Sequence, residues 1–247
     1  MHPRHTVPML AAVMFLCACA TPAAPTLTSQ APSVTPEPPT ATVTASPLPP
    51  SATPTLAAAP RTFTEGFDAA APHWQFLQGG AVGEAIRSTV QSGTLRLELP
   101  GPDRWAYGLY AGPQYDDVRV DAVVDFGPGS GSSAGIICRY DAGLGWYEFD
   151  IYPDRSYSIL FGQWLADGIA RYTPLVLSES EHISATVNEI GLVCQGSILT
   201  PYVNATQLRR RQETQHVLTT GQVGLSASSS DVGGQVISFD WVSVGVP

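Results

Sequence analysis

The stretch Asp117-Val118-Arg119-Val120-Asp121-Ala122-Val123-Val124-Asp125-Phe126 places Val118, Val120, Ala122, Val124 and Phe126 on one side of an extended chain, with Arg119, Asp121 and Asp125 on the other. Side chains of a strand point alternately to its two faces, so one face of this strand belongs to a core and the other to water. The same period recurs outward. Leu95, Leu97 and Leu99 alternate with Arg96 and Glu98, and Gly127-Pro128-Gly129-Ser130-Gly131-Ser132-Ser133 forms a turn before the next apolar run. Further strands are expected at 145–152, 156–161, 182–187, 190–195, 198–204, 221–227 and 236–244, and no segment reads as a helix. Many short antiparallel strands call for two sheets packed face to face, so the expected fold is an all-β, two-sheet antiparallel jelly-roll sandwich over residues 61–247. Pro201, inside the 198–204 run, points to an edge or bulge because proline donates nothing to a ladder.

The chain before this domain has a different character. A cationic start around Arg4, an apolar core from Val7 to Leu16 and small residues before a cysteine make an export signal too short to span a bilayer, which needs about 20 apolar residues. Leu16-Cys17-Ala18-Cys19 resembles a bacterial lipobox, which implies that residues 1–18 are a signal peptide and that Cys19 is the lipidated first residue of the mature chain. From Ala20 to Pro60 the only charge is Glu37 and no aromatic residue occurs, so residues 19–60 read as a disordered Pro/Thr/Ala/Ser-rich stalk. If its Pro-rich pairs adopt polyproline II at about 3.1 Å per residue, the stalk reaches up to about 120 Å. The expected location is the bacterial cell envelope, lipid-anchored, with an extracytoplasmic, monomeric domain that touches membrane only through its anchor.

All twelve basic residues are arginine and the net charge is -9, which argues against nucleic acid and anionic lipid surfaces as partners. The basic run Arg209-Arg210-Arg211 reads as a solvated loop. Asn204-Ala205-Thr206 matches a glycosylation sequon and reads as a turn. Cys138 shares its strand face with Ile136, and Cys194 shares its face with Ile190 and Leu192; in an exported chain such an inward-facing pair favours a disulfide over two separate buried thiols.

Phe63-x-Glu65-x-Phe67 before Trp74, Gly135-Ile136-Ile137-Cys138-Arg139-Tyr140, Trp146-Tyr147-Glu148-Phe149-Asp150-Ile151, Cys194-x-Gly196 leading into Tyr202-Val203-Asn204, Gly221-x-Val223-Gly224-Leu225 and the closing Phe239-Asp240 occur in an order that resembles concanavalin A-like lectin/glucanase domains, laminin G-like jelly rolls among them, of bacterial surface lipoproteins. The resemblance implies a concave cleft that takes carbohydrate. Alternation lines up Trp146, Glu148, Asp150 and Tyr152 on the face away from the core, and with Arg139 they form the expected carbohydrate-binding set: aromatic faces stack on sugar C–H surfaces and carboxylates accept sugar hydroxyls. The expected partner is a polysaccharide or cell-envelope glycan. Glu148-x-Asp150 also resembles the start of the Glu-x-Asp-x-x-Glu strand of family 16 glycoside hydrolases, in which the first Glu is the nucleophile and the last the acid/base; here that last position is Pro153. No residue is therefore assigned a catalytic role, and a non-catalytic binding module is expected, with a glucanase-type hydrolase and a protein-adhesion module as alternatives. No cofactor is expected except a structural calcium ion at Glu65 and Asp240, which the resemblance implies.

Overall fold

The computed structural model describes residues 59–128, 131–230 and 233–247. The lipobox with Cys19 and nearly all of the stalk lie outside the described residues. The strands, in chain order, are β1 (Phe63–Glu65), β2 (Trp74–Gly80), β3 (Arg87–Gln91), β4 (Thr94–Leu99), β5 (Arg104–Tyr110), β6 (Val118–Asp125), β7 (Ser132–Asp141) and β8 (Gly145–Ile151). They continue with β9 (Ser156–Ala166), β10 (Ile169–Glu179), β11 (Val187–Gln195), β12 (Ile198–Val203), β13 (Thr206–Gln207), β14 (Arg211–Gln212), β15 (Gln222–Ser229) and β16 (Gln235–Gly245).

One sheet runs β13-β12-β11-β6-β16-β4-β3, with β1 added to β16 and β14 to β12; the other runs β10-β9-β8-β7-β15-β5-β2. Neighbours within each sheet are antiparallel, and the chain passes repeatedly from one sheet to the other, as a jelly roll requires. The alternation of β6 is realised as read: Val118, Val120, Ala122, Val124 and the following Phe126 are fully buried against Leu95, Leu97, Leu99, Ile136, Phe149, Ile159, Leu225 and Phe239. The Cys138–Cys194 disulfide crosses this core from β7 in one sheet to β11 in the other.

Pro201 pairs with Leu192 of β11, and on its other side it falls between the short pairings of β14 at Ile198 and Leu199 and of β13 at Tyr202 and Val203. The missing donor thus sits where a partner strand is interrupted. Asn204 and Ala205 form a two-residue hairpin loop with positive φ values of 47° and 63°, the backbone of a type I′ turn. The strand expected at 182–187 does not form. Asn188 accepts the Ser184 N–H at 2.7 Å and donates to the Ser184 carbonyl at 2.9 Å, folding the segment into a turn that precedes β11.

Candidate functional site

The face of the β10-β9-β8-β7-β15-β5-β2 sheet that points away from the core carries, in register, Glu148 beside Leu160 and Ile137, and Asp150 beside Ser158 and Gly135, with Ser226 and Tyr107 completing that row. The sheet curls over this face. The Gly80 N–H donates to the Gly168 carbonyl at 3.1 Å, tying β2 at one edge to the turn between β9 and β10 at the other.

Trp146, Glu148 and Asp150 share this face as expected, but they do not line an open cleft. Trp146 is 0 % exposed, Glu148 4 % and Asp150 3 %. Trp164, Tyr140, Tyr107 and Tyr172 surround Trp146 at ring-centroid distances of 5.1, 5.5, 5.6 and 5.9 Å, in tilted and edge-on arrangements that aromatic quadrupoles favour. Glycine makes the fit possible. A Cβ on Gly162 would stand 2.7 Å from the Trp146 ring nitrogen, and one on Gly135 would meet the Phe149 carbonyl and the Ser226 hydroxyl, each at 2.6 Å, in space that the Asp150 carboxyl occupies.

The carboxyls are held by donors rather than by cations. Glu148 Oε2 accepts the Trp146 indole N–H at 2.8 Å and the Tyr172 hydroxyl at 3.0 Å, and Tyr172 is in turn hydrogen-bonded to the Tyr107 hydroxyl. Asp150 Oδ1 accepts the Ser226 hydroxyl at 3.1 Å, and the two carboxyls bond to each other. Burial raises the pKa of Glu148; burial and the adjacent Glu148 charge lift that of Asp150 well above the ordinary carboxylate range. Both shifts favour the protonated forms and that of Asp150 is the larger, so a proton shared by the pair sits on Asp150 and is donated to Glu148. Burial also drives Tyr107 and Tyr172 upward, so both remain phenols. Tyr152 is half-buried, its hydroxyl 3.5 Å from that of Ser158, and burial raises it too.

Arg139 belongs elsewhere, which corrects its place in the expected set. The β7–β8 register shifts between Cys138 and Asp141, Arg139 takes a positive φ of 54°, and its guanidinium turns to the carbonyls of Asp116, Gly196 and Leu218 rather than to the concave face. Glu65 spends one carboxylate oxygen on the Phe67 N–H at 3.0 Å, and Asp240 is exposed at a bulge of β16. Among the described residues no group of three His, Cys, Asp or Glu side chains converges.

The accessible part of the face lies at its rim. A depression of about 480 Å³ is lined by the half-buried Trp164, by Tyr140, Phe76 and Leu77, and by the polar Gln78 and Asp167. Trp164 donates its ring N–H to the Tyr140 hydroxyl at 2.9 Å, which fixes the indole plane. Sequence reading missed Trp164 because the strand expected at 156–161 stops short of it, whereas β9 continues to Ala166.

No family model and no curated sequence matches the chain. Solved structures do. A Bacillus licheniformis β-glucanase superposes with a TM-score of 0.53 at 15 % identity, covering 75 % of this chain and 98 % of its own. The carbohydrate binding module CBM66 from Bacillus subtilis gives 0.50 at 12 % identity, over 68 % and 92 %. A Bacillus subtilis protein of unknown function with a galectin-like fold gives 0.55 at 9 %, over 74 % and 94 %. The domain is a concanavalin A-like jelly roll. At these identities the likeness establishes the fold, and within it both binding modules and glucanases occur.

Proposed function

We propose that this chain is a lipid-anchored cell-surface protein whose concanavalin A-like domain binds glycan without cleaving it. The observation that carries the reading is the enclosure of Glu148 and Asp150: a retaining hydrolase needs two carboxyls flanking a bound glycosidic bond, and here both are buried, Glu148 under hydrogen bonds from Trp146 and Tyr172, with Pro153 in place of the acid. The aromatic platform moves from Trp146 to Trp164, whose indole is held by Tyr140 and packed at a tilt against Trp146 before any ligand arrives. A rigid aromatic wall beside Gln78 and Asp167 supplies the C–H stacking and the hydroxyl partners that a sugar requires.

Affinity electrophoresis of the detergent-solubilised full-length chain against a polysaccharide panel tests this. Trp164→Ala is expected to weaken binding of the retained polymer at least about ten-fold, as loss of a central aromatic anchor does; undiminished retardation would refute the platform. The hydrolase alternative rests on the proton-sharing carboxyl pair and predicts reducing-end release that Glu148→Gln abolishes.

For the anchor, growth with an alkyne-tagged palmitate analogue is expected to label the wild-type chain and to leave Cys19→Ala unlabelled. Persistent label in that variant would remove the lipobox assignment.

A further inference from the structure

A second depression, of about 430 Å³, adjoins the Trp164 depression and shares Gln78, Asp167 and Gly168 with it. Its remaining wall is mostly of small residues, Gly79, Gly80, Ala81 and Gly83 among them, with the exposed Val82 and Ile169 at its border and one cation, Arg104. Arg104 is 6 % exposed, yet its guanidinium has no hydrogen bond and no carboxylate partner among the described residues, and its Nε is buried without an acceptor. Only its backbone is engaged, through the Ser229 hydroxyl at 3.2 Å. The contrast with Arg139 is instructive: that buried guanidinium satisfies three carbonyls and a carboxylate.

A guanidinium is a fork of N–H donors with no acceptor, and a buried donor without a partner is expensive. The small residues around it keep its surroundings open rather than packed: a Cβ on Gly83 would already approach the Arg104 Nη1 to 3.2 Å. We infer that Arg104 is a recognition site for an anionic group on a pyranose, a uronate carboxylate or a sulfate, carried by a glycan whose neighbouring unit lies on Trp164. The inference rests on the glycan-binding reading and specifies its ligand class. The planar guanidinium fork matches either oxyanion through paired N–H donors, and the small-residue wall admits the group to it. Asp167, on the border between the two depressions, accepts sugar hydroxyls and sets the acidic group on the Arg104 side. The chain's net charge of -9 disfavours unspecific adsorption of polyanions, so retention of one reports a specific contact.

The test uses the detergent-solubilised full-length protein in gels containing polygalacturonate, dextran sulfate, laminarin or dextran, with Arg104→Met, Arg104→Lys and Trp164→Ala beside the wild type and thermal midpoints measured for each. Expected is retardation by an acidic polymer, weakened about 30-fold or more in Arg104→Met, as truncation of a desolvated charge partner does. The thermal midpoint of Arg104→Met is expected to be unchanged or raised, because a buried donor without an acceptor has been removed. Polygalacturonate as the retained polymer assigns a carboxylate; dextran sulfate assigns a sulfate. If Arg104→Met does not fold, Arg104→Lys carries the test, with a loss of about ten-fold from its single-point geometry. Acidic-polymer binding that survives both substitutions overturns the inference. Retention by laminarin or dextran alone, equal in wild type and Arg104→Met and lost in Trp164→Ala, overturns it while leaving the glycan-binding reading in place; no retention by any polymer overturns both.

Discussion

Arg139→Met is expected to lower the stability of the domain by about 3–5 kcal/mol, the range found when a partnered buried charge is truncated. The side chain is 1 % exposed. Its Nε donates to the Asp116 carbonyl at 2.9 Å, Nη1 to the Gly196 and Leu218 carbonyls at 2.6 and 2.7 Å, and Nη2 to the Asp117 carboxylate at 3.3 Å. One cation thus joins the segment entering β6, the turn between β11 and β12 and the segment leading to β15, next to the disulfide that crosses the two sheets. Burial pulls the pKa of Arg139 below its ordinary value, but the neighbouring carbonyls and Asp117 keep it charged. Methionine fills the volume and strands three carbonyl oxygens, each worth about 1–3 kcal/mol when buried without a donor. In a domain of this size the thermal midpoint should fall by about 10–15 °C. Arg139→Lys should recover little, because one ammonium cannot reach carbonyls on three segments. A loss below about 1 kcal/mol by urea titration would mean that water replaces the clamp.

The same residue marks where the sequence ceased to be informative. Alternation located β4, β6, β8, β12, β15 and β16 because each has one face in the core and a contrasting face outside it. It passed over β5, where Trp105, Tyr107 and Leu109 on one face are as apolar as Ala106 and Tyr110 on the other, because the concave face carries its own aromatic cluster. It passed over β10, where Pro174 and two register shifts interrupt the period. For the site, period two correctly assigned Trp146, Glu148 and Asp150 to one face, but a period states direction and not what lies above. The covering residues Trp164 and Tyr172 arrive from β9 and β10, and only the pairing of Trp146 and Tyr172 with Gly162 makes their approach intelligible. The backbone at Arg139 has positive φ in a register shift, and arginine carries no preference that announces it.

Asp150→Asn is expected to reduce a pH dependence of stability that the wild-type domain shows between acid and neutral solution. In the unfolded chain Asp150 titrates in the ordinary range, near about 4. In the folded protein burial and the ionised Glu148 raise it well above that range. The folded state therefore binds the proton more tightly, and the stability this contributes is fully present below the unfolded value and is lost as pH rises through the folded value. One linked proton gives a slope of up to about 1.4 kcal/mol per pH unit across that window. Asparagine preserves the shape, donates its amide N–H to Glu148 where Asp150 donates its acid proton, and still accepts from Ser226. Urea unfolding of the variant should consequently vary less with pH over the same window and should exceed the wild type in stability at and above neutral pH, with the difference closing toward pH 4. Glu148→Gln makes the complementary case: it removes the second contributor to the Asp150 shift and leaves burial, the first, so the slope should persist and move to lower pH. Identical slopes in wild type and Asp150→Asn would show that the shared proton is not there, although burial leaves both carboxyls almost no exposure to water.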